Sequence, residues 1–405
     1  MRTLEFKLKG KEAQYRAIDE AIRTAQFIRN KCLRHWIDNR GTCRAELYRH
    51  STLLRQEFAF VKALNSTACQ ASVERCWFAI ARFFDNCKKQ KLRKKGYPKF
   101  KKHCRSVEYK TSGWKLLDPK HIKFTDGKGI GKLKLVGTWD LAYYSRDQIK
   151  RVRLVRRADG YYAQFCVKVD VEVETKPTHK TIGLDLGLKY FIADSHGLLR
   201  RGCAGAGVWE SPKFYRKAEH QLNRANRKKS KKYRRGVKPQ SNNYHKARNR
   251  YARKHLRVSR QRKEYCKRAA YCVIQSNDLV AYEDLNVKGL VKNRRLGKSI
   301  SDAGWYTFRE WLEHFGRKYG KVTVAVPPHY TSQKCSNCDE IVKKSLSCRT
   351  HVCNHCGYVA DRDVNAAINI LKKGLTTVGH TGSHTLGEIG SLAALEQSCA
   401  VKSGR

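Results

Sequence analysis

Acidic residues are scarce in this chain. Its 405 residues include 35 Asp and Glu against 86 Lys and Arg, a formal net charge of +51 and a pI near 10.0. Self-repulsion of that size excludes an ordinary metabolic enzyme and calls for a polyanionic partner. Long apolar runs are missing too. No stretch of about 18 apolar residues occurs, so no membrane span is expected. The opening MRTLEFKLKG has no apolar core of a signal peptide, which points to a reducing, cytoplasmic compartment for the cysteines. No internal repeat is evident. What the chain does have is 40% hydrophobic and 10% aromatic residues. That is enough to bury a core, so it is not a disordered basic tail, and its length suits two or three domains.

Eleven of the 16 cysteines are scattered singly and read as small buried hydrophobes. Five cluster between Cys335 and Cys356. Within that cluster Cys335, Cys338, Cys353 and Cys356 form C-x2-C, fourteen residues, C-x2-C. Each C-x2-C turn aims two thiolates at one ion, and four thiolates close a tetrahedral, structural zinc site with no open position. Cys348, His351 and His355 are alternative ligands that break the paired symmetry.

Along the chain, Leu4, Phe6 and Leu8 alternate as in a strand. Residues 11 to 88 then keep helical apolar spacing without a proline. The run KKQKLRKKGYPKFKKHCR follows, with ten Lys or Arg and no acid between Lys88 and Arg105. Tyr97 and Phe100 interleaved with Lys94, Lys95 and Lys99 suit nucleic-acid contact, since bases stack on rings. Residues 106 to 175 carry short alternating runs punctuated by glycine, a small antiparallel sheet or barrel that the first strand could join. Lys176–Lys180 is the expected boundary. Next comes TIGLDLGLKYFIADSHG, read as one strong apolar strand. Two long basic helices broken near Gly236–Pro239 should follow, because Lys213 to Arg268 holds 23 Lys or Arg and two acids. DLVAYEDL and KVTVAV are two further strands, with a helix from Asp302 to Tyr319 between them. DVNAAINILKKG is a closing helix before a loosely ordered tail.

Three acids have similar surroundings. Asp185 lies inside a strand, Glu283 ends one, and Asp363 sits where a helix begins. An acid in an apolar strand is costly unless paired or metal-bound. Alone, Asp185 could be a turn acid, Glu283 a surface acid and Asp363 an N-cap. Together, strand acid, strand acid and helix-start acid follow the order of an RNase H-like nuclease core. Three such carboxylates suit Mg2+, with two ions about 4 Å apart activating water on a phosphodiester. Asp361 and Asp284 are neighbours that could contribute, and the helix fixes Asp363 more firmly than Asp361.

IGLDLGLKYF, YEDLNVKGL, SISDAGW, YTSQKCSNC, HVCNHCG and DRDVNAAINIL, in this order, resemble the TnpB family of transposon-encoded RNA-guided nucleases, relatives of the type V CRISPR effectors. The resemblance spans about residues 1 to 372 and is strongest from Thr181 onward. It implies an α/β multidomain protein. A RuvC-like core at 177–326 and 358–374 would carry Asp185, Glu283 and Asp363. A zinc-bearing target-nucleic-acid-binding segment would occupy 327–357. A wedge β domain at 1–9 and 106–176 would be interrupted by a helical recognition domain at 10–105, and a tail would follow at 375–405.

The implied function is metal-dependent cleavage of double-stranded DNA beside a short transposon-adjacent motif, directed by a guide RNA from the transposon right end. Mg2+, or Mn2+ in its place, would be the catalytic ion and Zn2+ the structural one. The chain would act as a monomer in a ribonucleoprotein, in a prokaryotic cytoplasm at the nucleoid. Gln70 falls where family members contact the flanking motif, and an ordinary polar helix residue is the plainer reading of it. Arg227, Lys228, Lys229, Lys231 and Lys232 would hold phosphates without reading sequence. A nuclease-dead RNA-guided DNA-binding repressor is disfavoured because all three acids remain; a transposase is disfavoured by the motifs. One departure is Asp339, where the family usually has glycine; Asp tolerates φ > 0.

Overall fold

The computed structural model describes residues 2–89, 96–168, 173–197, 209–237, 239–345 and 348–379. The chain divides into two compact units, Met1–Asp170 and Val171–Arg405, a few residues ahead of the boundary expected at Lys176–Lys180.

The first unit contains β1 (Arg2–Lys9), the helices α1 (Glu12–Asp38), α2 (Arg44–Glu57), α3 (Ala59–Lys62) and α4 (Ser66–Lys88), and then β2 (Ser106–Lys110), β3 (Trp114–Asp118), β4 (His121–Phe124), β5 (Lys132–Val136), β6 (Ile149–Arg157) and β7 (Gly160–Val167). The strands form one antiparallel sheet in the order β2-β6-β7-β1-β5-β4-β3. β1 therefore sits mid-sheet between β7 and β5, and the four helices are inserted after it. Leu4, Phe6 and Leu8 are buried, as strict alternation requires. They join a core with Ile18, Ala21, Ile22, Ile28 and Leu33 of α1.

Two acids are buried where α4 meets the sheet. Glu74 takes Lys110 at 2.7 Å, and Glu108 takes Arg153 at 2.7 Å and Arg151 at 2.8 Å. Burial alone would raise both carboxyls, but these cations outweigh it and hold them below the ordinary range.

The second unit contains β8 (Thr181–Asp185), β9 (Tyr190–Asp194), β10 (Trp209–Glu210), α5 (Phe214–Lys231), α6 (Asn242–Ser276), β11 (Leu279–Glu283), α7 (Val287–Leu290), α8 (Gly297–Ala303), α9 (Trp305–Lys318), β12 (Val322–Val326), β13 (Thr350–Val352), β14 (Val359–Asp361) and α10 (Arg362–Thr377). Its main sheet runs β10-β9-β8-β11-β12. β8, β11 and β12 are parallel, and β9 is antiparallel to β8.

Three sequence expectations change here. The run read as one strand from Thr181 is a hairpin, since Leu186–Lys189 leaves the ladder between β8 and β9. The helix expected from Asp302 starts instead at Trp305. Gly304, at φ 75°, ends α8 and opens α9. The closing helix reaches Thr377, past the expected start of the tail at 375, whose remainder from 380 lies outside the described residues.

Helices cover both faces of this sheet. On one face Ile182, Leu184, Val280 and Tyr282 pack with α6 and α9 through Ala270, Ile274, Phe308 and Leu312. On the other, Leu279 and Ala281 meet Ile370 and Leu375 of α10. α10 lies very close: a Cβ at Gly183 would fall 2.1 Å from the Ala367 carbonyl oxygen. Only glycine in β8 permits that approach.

Candidate functional site

Strand periodicity decides where the acids go. Side chains alternate between faces, so Asp185 shares the α10 face with Gly183, and Glu283 shares it with Leu279 and Ala281. The β8–β11 register pairs Leu184 with Tyr282, so Asp185 and Glu283 end adjacent parallel strands at the same edge. Asp363 stands in the first turn of α10, on the helix that covers this face. Asp185 is pushed up to about 8 by burial and then by the charges of Glu283 and Asp363, with Arg362 pulling the other way. Glu283, 8% exposed, is also raised by burial, against the pull of Thr331 and Lys373.

The neighbouring acids are otherwise engaged. Asp361 is the N-cap of α10, its Oδ1 accepting from the N–H groups of Asp363 and Val364. Asp284 pairs with Arg309. Asp363 accepts from Arg362 at 3.1 Å and from Arg349 at 3.2 Å. Sequence reasoning missed both arginines, although Arg362 lies inside the motif that carries Asp363; Arg349 is 14 positions upstream and only the fold brings it there. Carboxylates gathered this way, Glu283 and Asp363 buried and Asp185 half-buried, could supply oxygens to a hard cation. Their oxygens do not form as tight a group as the cysteines do. Among the described residues, the four cysteines alone bring three or more ligand atoms within 4.8 Å of one another.

Those cysteines sit on two matching turns. The N–H of Asp339 donates to Cys335 O and that of Gly357 to Cys353 O, each at 3.0 Å. Asp339 has φ 62° and Gly357 φ 72°, so aspartate adopts the left-handed conformation at the position where the family usually has glycine. Sulfurs of Cys335 and Cys356 are 3.7 Å apart and those of Cys338 and Cys353 3.6 Å. A tetrahedral site with Zn–S bonds of about 2.3 Å spaces its sulfurs roughly 3.8 Å apart, so the four fit a metal such as zinc. The N–H of Tyr358 and the Asn337 side chain pull Cys356 down to about 6, favouring its thiolate. Cys348 and His351 lie outside this group.

The segment is fastened to α10. Asn365 Nδ2 donates to Lys334 O at 2.8 Å, and its Oδ1 accepts from Ser336 N at 2.8 Å. Asn369 Nδ2 donates to Thr331 O at 2.9 Å and Lys334 O at 2.8 Å.

The expected nucleic-acid contacts are divided between the two units. In the first unit, Lys99, Tyr97 and Phe100 are exposed, while Lys94 and Lys95 fall outside the described residues. The loop is tied to α1 by Asn30 and Gln26, which bond the backbone of Lys101 and Cys104. Arg29, Arg75, Arg82, Lys99 and Lys101 line an adjoining groove with Phe78 and Tyr97, and among the described residues no acid lines it. The i, i+3, i+7 spacing of Arg75, Phe78 and Arg82 on α4 is the sequence signal for this face. Gln70 is exposed on α4 and meets Lys110 at 3.5 Å. In the second unit, Arg227, Lys228, Lys231 and Lys232 are exposed, whereas Lys229 lies over the Tyr251 ring at 4.6 Å. No helix among the described residues is long and apolar enough to cross a membrane.

The family descriptions "Cas12f1-like, TNB domain" and "Probable transposase" match residues 305–370 and 164–294. A Streptomyces pristinaespiralis protein named "Putative RNA-guided DNA endonuclease" is 29% identical over 325 residues, 79% of this chain and 74% of that protein. "TnpB-like protein L79" of Acanthamoeba polyphaga mimivirus is 35% identical over 147 residues, 34% of this chain and 28% of its own. A chain in the cryo-EM structure of the Cas12f1-sgRNA-target DNA complex superposes with a TM-score of 0.53 at 14% identity, covering 89% of this chain and 83% of that one, a likeness of fold. The motifs, the matched segments and the relatives' names agree that the chain resembles TnpB-like and Cas12f1-like proteins.

Proposed function

We propose that this protein is an RNA-guided, metal-dependent DNA endonuclease with a RuvC-type centre at Asp185, Glu283 and Asp363. In this reading it cleaves double-stranded DNA beside a short transposon-adjacent motif, using a guide RNA from the transposon right end. The observation that carries it is the convergence of three repelling carboxylates, two from adjacent parallel strand ends and one from the helix packed on their face. The relatives' names support the RNA-guided nuclease class. Magnesium, as one or two ions, would activate water and stabilise the leaving oxygen. Asp185 and Glu283 would hold it from a rigid sheet edge, and Asp363 from the first turn of α10. Four cysteine thiolates would hold zinc and build the local fold around residues 327–357 without touching the reacting atoms. Base pairing with the guide would read the DNA, while basic side chains on α5, α6 and the Lys88–Arg105 loop would grip phosphates.

The test is to sequence the RNA that co-purifies with the protein and to supply a plasmid carrying the matching target. We expect RNA from the gene's own 3′ flank and target cleavage in Mg2+. Asp185→Ala should lower cleavage at least 1,000-fold while guided DNA binding stays within about twofold. Cleavage at the wild-type rate by Asp185→Ala would remove this residue from the centre. Guided binding without cleavage by the wild type would favour the repressor reading.

A further inference from the structure

We propose that Thr331 is a positioning residue for Glu283, and that through it the cysteine-bearing segment sets the geometry of the acidic centre. The inference rests on the nuclease reading above and names a device within that site. Thr331 Oγ1 donates to Glu283 Oε1 at 2.6 Å, and both residues are buried, at 3% and 8% exposure. No other hydrogen-bond donor to this carboxylate is found among the described residues, so one oxygen is fixed by the hydroxyl and the other is left for a cation. The same hydroxyl lies 3.1 Å from Pro328 O, the longer of its two contacts.

Thr331 is itself held from both sides. Its carbonyl accepts from Asn369, on the helix that carries Asp363, and Asn369 also binds Lys334 O, one residue before Cys335. Asn365, 0% exposed, binds Lys334 O and Ser336 N, bracketing Cys335. Hydrogen bonds therefore join Thr331 to Glu283 at the end of β11 and to Asn369 of α10, which also holds the residue before Cys335. A glutamate has three side-chain torsions, and a single short bond to a rigid donor selects one arrangement. Removing a group that orients a metal-binding carboxylate in this way changes ion affinity by about 10- to 100-fold.

The experiment compares full-length wild type, Thr331→Val, Thr331→Ser and Glu283→Ala, each freed of RNA by nuclease and high salt. Mn2+ binding is followed by electron paramagnetic resonance, with Glu283→Ala as the background. Zinc content and melting temperature are measured alongside, and the rebuilt ribonucleoproteins are assayed for cleavage across Mg2+ concentrations. The valine variant is expected to weaken Mn2+ binding about 10- to 100-fold and to raise the Mg2+ needed for half-maximal cleavage to match. Its zinc content and melting temperature should not move. The serine variant, which keeps the hydroxyl, should bind and cleave within about threefold of wild type. Wild-type Mn2+ binding by Thr331→Val would overturn the proposal, as would equal defects in the valine and serine variants, or zinc loss in Thr331→Val. A wild type that binds no Mn2+ above the Glu283→Ala background, or cleaves nothing, would overturn the nuclease reading instead, and this inference with it.

Discussion

At the residue scale, the side chains of Asp361 and Asp363 are only two positions apart, yet they have different work. Asp361 satisfies N–H groups that the first turn of α10 would otherwise leave bare, and Asp363 faces the strand acids. Asp361→Ala should cost about 1 kcal/mol of stability by removing the cap and leave target cleavage largely intact. Asp363→Ala should abolish cleavage by removing one of the three carboxylates, while the Asp361 cap on the backbone N–H groups of positions 363 and 364 stays in place and holds the helix start. Melting curves and plasmid cleavage on the two variants check this, and the reverse pattern would exchange their roles. The sequence showed both acids as candidates. A preference for Asp363 followed from its place on the helix, but the capping bond made by Asp361 is a matter of backbone angle that no residue type dictates.

At the scale of elements, the two cysteine-bearing turns and α10 form one assembly. Among the described residues of 327–360 few apolar side chains are buried, so metal ligation by the four cysteines would supply what a core otherwise does. Cys335→Ser with Cys338→Ser, or chelation, should unfold these turns and release the bonds to Asn365 and Asn369. Elemental analysis should find one zinc per chain in the wild type and less in the variant, with protease cutting between 327 and 360 and cleavage activity reduced. Full activity in a zinc-free chain would sever the turns from the nuclease centre. The C-x2-C spacing made the ligands legible. The asparagine clamp was not, because Asn365 and Asn369 matter only through backbone groups some 30 residues away that helix spacing does not reveal.

For the whole molecule, the net charge of +51 dominates. Exposed cations on α5 belong to that balance, except Lys229, which is shared with the Tyr251 ring. Replacing Arg227, Lys228, Lys231 and Lys232 by Ala should weaken RNA binding and flatten its salt dependence, by about one unit of log–log slope for each phosphate no longer neutralised. A filter-binding titration from low to high salt measures this. An unchanged slope in a folded variant would move the phosphate-holding role to the groove beside Tyr97, where Arg29, Arg75 and Arg82 stand.

By itself, the sequence determined the large excess of positive charge, the four-cysteine set, the periodicity of most strands and helices, and the three acids as members of one pattern. These are read from charge, spacing and alternation, which are properties of the chain alone. Tertiary structure decided the rest. The Thr181 run folds back as a hairpin because β9 pairs with β8, a turn that apolar patterning alone does not reveal. Gly183 matters because α10 presses on it, and Thr331 because Glu283 is buried beneath its hydroxyl. Thr331 and Glu283 stand 48 positions apart in the chain, and their meeting depends on how the sheet and α10 pack. That packing is set by the whole core rather than by any local stretch of residues.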